Sequence, residues 1–235
     1  MEYIIIIIIL IIAILVLMLG MDINLKDIKK IKEVNEDKKL LGLLDKCPKN
    51  KQICEDILKI LNNENVKIEE EKDEESQTSL YLVMQNKILI ANIEESFTRI
   101  QTIVHECIHS IQNKKLLKFN FIFSNINILY FFIISILTIF KIINKQTINI
   151  ILITLILMQF IFFIIRSYLE TDAMVRAEYI TKEYLKEKKI FDEKTSKEIL
   201  NRYKELNKIG IKLYNFMLAS KSILKIIVYC IIVII

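Results

Sequence analysis

Residues 105–109 read HECIH and hold both histidines of the chain, four positions apart, with a glutamate directly after the first. On a helix, side chains at i and i+4 share a face, so His105 and His109 can converge on one metal ion and Glu106 can reach a water beside it. This is the H-E-x-x-H spacing in which two imidazoles bind zinc and the glutamate serves as general base. Catalytic zinc takes three protein ligands and keeps one position open. With no third histidine in the chain, the remaining ligand has to be a carboxylate or a thiolate. Cys107 points roughly 100° around the helix from Glu106, onto an apolar stripe, and is a poor ligand. Glu170, just past an apolar run, is the best candidate; Asp172 is its rival, Glu178 lies two turns further on, and Glu106 is needed for the proton. The bland alternative is a polar helix face carrying two histidines, with Glu170 a charged residue at a membrane boundary.

The histidines need a helix to carry them. Asn92 and Glu95 have capping-box spacing, which predicts a helix over residues 93–113. On it Ile100, Val104, Cys107, Ile108 and Ile111 form the apolar stripe, while Thr98, Thr102, His105, His109 and Gln112 share another face. Just upstream, "SLYLVMQNKILIAN" sets two short apolar runs around "QNK", the pattern of a β-hairpin. Its second strand, with Ile88, Leu89, Ile90 and Ala91, is expected to pair with an extended substrate by strand addition. Earlier still, "NLKDIKKIKEV" and "KQICEDILKILNNENV" have helical apolar spacing, and "KIEEEKDEESQTS" reads as a solvated acidic loop. Residues 166–220 read as two long helices, the second starting at a Thr195/Glu198 capping box.

The rest of the chain says where this helix works. Of 235 residues, 53% are hydrophobic and yet 26% are charged, with three Gly and one Pro. Apolar residues are therefore segregated from charged ones, as in a membrane protein. Four runs stand out, at residues 3–19, 121–143, 148–165 and 223–235, where about 20 helical residues suffice to cross a bilayer. The first has no preceding basic residue and no cleavage pattern after it, and reads as a retained anchor. The second and third, separated by "NKQT", make a transmembrane hairpin. The fourth contains Lys225, which can snorkel if the helix begins earlier, near Leu213. The expected organisation is an anchor (1–20), a cytoplasmic region with the metal helix (21–118), the hairpin (119–165), cytoplasmic helices with the third ligand (166–212) and a C-terminal membrane helix (213–235).

Lys26, Lys29, Lys30, Lys32, Lys114, Lys115, Lys118, Arg166 and Arg176 flank the runs on one side, against Lys141 and Lys145 in the hairpin loop. The positive-inside rule then puts the HECIH side in the cytoplasm of a multi-pass cell-membrane protein. Cys47, Cys54, Cys107 and Cys230 have neither zinc-knuckle nor disulfide-framework spacing and read as buried thiols. The net charge of +5 fits attraction to a lipid surface, and nothing resembles a nucleic-acid module.

"HECIHSIQ", followed after a transmembrane hairpin by "LETDAMVRAEYI", resembles the YugP-like family of membrane-bound neutral zinc metallopeptidases. That family has an HExGHAxQ-like helix, apolar spans, and a second helix with an E-x-[DN]-A-x-x-R-A-like pattern; the likeness runs in order along nearly the whole chain. It implies a mainly α, zincin-like integral membrane fold with about four transmembrane helices and a small hairpin or edge strand beside the metal helix. It also implies one zinc per chain on His105, His109 and Glu170, with Glu106 catalytic and Asp172, Ala173, Arg176 and Ala177 in supporting roles. Ile108 replaces the family's glycine and Ser110 its alanine, and the related HtpX-like peptidases have an aspartate where this chain has Met174. Asp172 is then the nearest carboxylate to orient a histidine. Tyr168, Arg176 and Tyr179 are candidates to stabilise an oxyanion. The expected activity is hydrolysis of a peptide or membrane-protein substrate by a zinc-activated water. The alternatives are an inactive metal-binding membrane protein and a helical scaffold that binds a partner. Oligomeric state is not encoded in any pattern here.

Overall fold

With one proline and three glycines in the chain, little interrupts a helix once it starts, and helix dominates. The computed structural model describes residues 1–35, 41–43, 46–71 and 78–235. Among the described residues the elements are α1 (Glu2–Gly20), α2 (Leu25–Asn35), α3 (Asn50–Ile60), β1 (Lys67–Glu70), β2 (Leu80–Leu82), β3 (Lys87–Ile90), α4 (Arg99–Ile111), α5 (Lys114–Ile139), α6 (Lys145–Lys188) and α7 (Glu193–Ile234). They group into two units, Met1–Ile23 with Phe119–Tyr168 and Lys212–Ile235, and Asn24–Lys118 with Leu169–Ile211.

The first unit is a membrane unit: α1, α5, α6 and α7 are all long and apolar enough to cross a bilayer. Ile134, Leu152, Leu155, Ile226, Tyr229 and Cys230 form its core, with Tyr3, Ile6 and Leu10 of α1 packed against them. Its outer surface is apolar too, with Ile8, Leu129, Phe132, Ile153 and Phe160 exposed. Such a surface suits lipid, and the helices keep their backbone groups internally bonded. The chain is thus a membrane protein of four candidate spans. The third apolar run and the cytoplasmic helix after it form one helix, α6, of 44 residues, and the second cytoplasmic helix continues through the last apolar run as α7, of 42 residues. Neither segment contains a proline, and nothing lies within 4 Å of a Cβ placed on Gly210, so no local feature stops either helix.

The second unit carries a three-stranded sheet in the order β1-β3-β2. β2 and β3 form the expected antiparallel pair, with Leu80 opposite Leu89 and Leu82 opposite Lys87. β1 was not expected: residues assigned to an acidic loop pair in parallel with β3, Lys67 to Lys87 and Ile68 to Ile88. Lys87 Nζ sits 2.7 Å from Glu69 Oε2, so the acidic character that argued for a loop supports the strand pair. The remainder of that loop, residues 72–77, lies outside the described residues.

Below the sheet, Ile53, Cys54, Ile57 and Leu58 of α3 pack with Ile100, Ile103, Val104, Cys107 and Ile108 of α4. Ala173 and Ala177 of α6 and Ile199, Tyr203 and Leu206 of α7 close the same core. The apolar stripe read from the sequence is therefore the buried face of α4. The helix itself begins at Arg99 and not at Ile93. The carbonyls that a longer helix would use are taken by side chains: Glu94 O accepts from buried Arg99 Nη1 at 3.0 Å, and Phe97 O accepts from Tyr203 Oη at 2.8 Å. At the start of α7 the cap is Asp192, whose carboxylate accepts from the Thr195 N–H at 2.9 Å and from its hydroxyl at 2.7 Å. The expected Thr195/Glu198 box is replaced by this earlier cap.

Candidate metal centre

α4 buries its apolar stripe in the core, and both histidines on its other face meet Glu170 of α6. One helical turn separates His105 and His109, and their Nε2 atoms lie 3.0 Å apart with the rings edge to face. Glu170, on α6, brings Oε2 to 3.3 Å from His105 Nε2 and Oε1 to 3.7 Å from His109 Nε2. A tetrahedral ion with ligand bonds of 2.0–2.1 Å sets its ligand atoms about 3.3 Å apart. Two imidazole nitrogens and a carboxylate at these separations fit that shape, so the cluster could hold a metal ion.

Glu106 is close but differently held. Its Oε1 is 4.0 Å from His105 Nε2, further than the 3.3 Å of Glu170 Oε2. Its Oε2 accepts a 2.7 Å hydrogen bond from the Tyr81 backbone N–H on β2. Proximity alone groups His105, Glu106 and His109 as possible ligands. The shorter contacts of Glu170, and the anchoring of Glu106 to β2, favour Glu170 as the third member and leave Glu106 beside the cluster.

The chain matches no family model, and no curated protein or solved structure resembles it significantly. What the site can do is therefore read from its own atoms.

Gln112 is the residue whose part was not foreseen. Its side-chain nitrogen donates to Leu169 O at 2.8 Å and to Asp172 Oδ2 at 2.7 Å. That orientation leaves its oxygen facing His109 Nδ1 at 2.8 Å, so Nδ1 carries the hydrogen and Nε2 presents its lone pair to the cluster. Asp172 in turn lies 3.7 Å from Arg176 Nη1. Asp172 reaches His109 only through Gln112, and its contacts are with Gln112 and Arg176 instead of the histidine Nε2 atoms. The available signal was position: Gln112 lies three residues after His109 on the same face. No side-chain pattern could have pointed to the Tyr81 N–H, because every non-proline residue has one.

Ile108 is fully buried in the core, and Ser110 is held by Asn63 Nδ2 at 2.8 Å, so both departures from the resembled motif have packing partners. Tyr168 and Tyr179 are both more than half exposed. Tyr168 falls in the membrane unit, whereas the cluster lies wholly in the other. The substrate strand is a correction. β3 is hydrogen-bonded on both sides, and Ile88, Ile90 and Ala91 are at most 2% exposed, so Ile88 to Ala91 have no free edge to offer. The open edge nearest the cluster is that of β2, through Tyr81.

The cluster is nearly closed: side-chain exposures are 16% for His105, 10% for His109, 10% for Glu106 and 7% for Glu170. Burial pushes the Glu106 carboxyl above its ordinary range; both histidines and the Tyr81 N–H pull it back in part, and Glu170 adds to the rise. Burial alone would lower the pKa of His109, but its hydrogen bond to Glu170 and the charges of Glu106 and Glu170 outweigh this and raise it. Without a metal, both Glu106 and His109 therefore hold a proton to higher pH than their exposed counterparts.

Proposed function

We propose that this chain is a membrane-bound zinc metallopeptidase of the class its sequence resembles, hydrolysing peptide bonds on the cytoplasmic face of the membrane. The observation that carries the proposal is the convergence of His105 Nε2, His109 Nε2 and the Glu170 carboxylate, with Glu106 anchored alongside. His105, His109 and Glu170 are the proposed holders of one zinc ion. Zinc bound there would supply Lewis acidity, acidifying water and polarising a peptide carbonyl. Glu106 takes the proton from the attacking water and passes it to the leaving amine. Its raised pKa suits that task, since burial makes the carboxylate a stronger base than an exposed one. The Tyr81 N–H steadies one oxygen and leaves the other for the proton. An extended substrate would lie along β2, the edge strand, by strand addition. Gln112, backed by Asp172 and Arg176, keeps His109 in the tautomer that binds metal.

The test is elemental mass spectrometry of the detergent-purified wild type beside Glu170→Ala and Glu106→Gln, with peptide cleavage followed on the same samples. We expect about one zinc per chain in the wild type, loss of zinc in Glu170→Ala, and zinc without cleavage in Glu106→Gln. The loss of cleavage should be about 10²- to 10⁴-fold, the usual contribution of a positioned general base. A wild type free of zinc after careful handling would overturn the enzyme and leave a helical scaffold. Zinc with no cleavage in the wild type would leave an inactive metal-binding protein.

A further inference from the structure

Within the membrane unit, α5, α6 and α7 line a half-open cavity of about 330 Å³, at the lower end of the roughly 300–1,000 Å³ of small-molecule sites. Three polar side chains line it with unmet valences. Gln159 Nε2 donates to Asn127 Oδ1 at 2.7 Å, but Asn127 Nδ2, Gln159 Oε1 and Ser222 Oγ are all buried and have no hydrogen-bond partner among the described residues. These residues are 1%, 2% and 6% exposed. In an apolar surround, each unpaired group costs free energy, so three around one cavity mark a place built to receive polar atoms. The missing partner must offer acceptors to the Asn127 amide and the Ser222 hydroxyl, and a donor to Gln159.

The same cavity is cationic. Lys221 and Lys225 line it; Lys225 Nζ lies 5.8 Å from the centre of the Phe162 ring, and neither lysine makes an ion pair among the described residues. Arg166 lines it too, with Nε donating to Tyr214 Oη at 3.0 Å. Residues 119–168 and 212–235 contain no Asp or Glu at all. No carboxylate of these segments can therefore neutralise the two lysines. Ile128 and Leu218 give the wall an apolar part.

We infer that this cavity is a binding site for the phosphate-bearing headgroup of an anionic glycerophospholipid. Phosphate oxygens accept from Lys221, Lys225, Asn127 and Ser222, and a headgroup hydroxyl donates to Gln159. A phospholipid reaches the cavity from the bilayer, where the unit's outer surface already suits it. The site is separate in residues from the metal centre, and neither proposal depends on the other.

The experiment is native mass spectrometry of the full chain released from detergent with phosphatidylglycerol or phosphatidylcholine, with inorganic phosphate as competitor. One phosphatidylglycerol should be retained where phosphatidylcholine is lost. Lys221→Gln with Lys225→Gln should weaken retention roughly 30-fold, the sum expected for two lysines near an anionic headgroup. Asn127→Leu, which keeps the volume and removes the amide, should weaken it without touching a charge, and Lys145→Gln should leave it unchanged. Equal retention of the two lipids, or wild-type retention by the double lysine variant, would overturn the site. Displacement of phosphatidylglycerol by millimolar inorganic phosphate would overturn the lipid assignment in favour of a free phosphate ester.

Discussion

Gln112 joins the two helices of the metal centre through one amide. Its oxygen takes the His109 Nδ1 hydrogen and its nitrogen satisfies Leu169 O and Asp172. Replacing it with Leu keeps the bulk but frees the ring to turn and strands buried acceptors. The expected result is a fall in zinc affinity of about 10- to 100-fold, typical for loss of a ligand's outer partner, measured by competition with a chromophoric chelator. Unchanged affinity would mean that packing alone orients His109. The protons of the metal-free site give a second expectation. The folded-state pKa of His109 lies above its ordinary 6.5, so its contribution to stability is fully present below that pH and is lost as pH rises through the folded value. Glu106, also raised, acts with the same sign at lower pH. Thermal unfolding of the metal-free chain in detergent should therefore occur at lower temperature at pH 8 than at about pH 6. With zinc present the trend should reverse, because metal binding releases protons. Parallel pH profiles with and without zinc would contradict it.

At the scale of elements, the metal helix is held by contacts distant in sequence. Tyr203 of α7 packs its ring at a tilt against Phe97, with ring centres 5.0 Å apart, and donates its hydroxyl to the Phe97 carbonyl in the segment entering α4. Tyr203→Phe leaves that buried carbonyl without its partner, which costs about 1–3 kcal/mol. Loss of thermal stability in detergent, with zinc content retained, is the expected result; an unchanged unfolding temperature would show that water replaces the hydroxyl. The two readings of the sheet region fared differently for a physical reason. The hairpin of β2 and β3 is local, and alternation around a polar turn revealed it. β1 joins β3 across about twenty positions, and its Glu69 is paired by Lys87 on the neighbouring strand, so its charge mimicked a solvated loop. That one unforeseen strand turned β3 from an edge into the centre of the sheet and moved the accessible edge to β2.

At the scale of the whole molecule, the chain has four membrane-length helices and a second unit carrying the candidate metal cluster. The excess of lysine and arginine on the HECIH side predicts that the connection between α5 and α6 faces outward. Ile142→Cys, at an exposed position there, should be labelled by a membrane-impermeant thiol reagent on intact cells; labelling only after lysis would invert the topology. The sequence alone determined what depends on near neighbours and composition. The membrane helices follow from uninterrupted apolar runs, the shared direction of His105 and His109 from the helical repeat, and the buried side of α4 from its apolar stripe. Tertiary structure decided what depends on distant partners. Glu170 and Asp172 lie two residues apart and point roughly 200° around one helix from each other, so only the packing of α6 against α4 selects which carboxylate meets the histidines. The donor that anchors Glu106 is a backbone N–H, a group common to nearly every residue, and only the fold of β2 over α4 brings this one to the site.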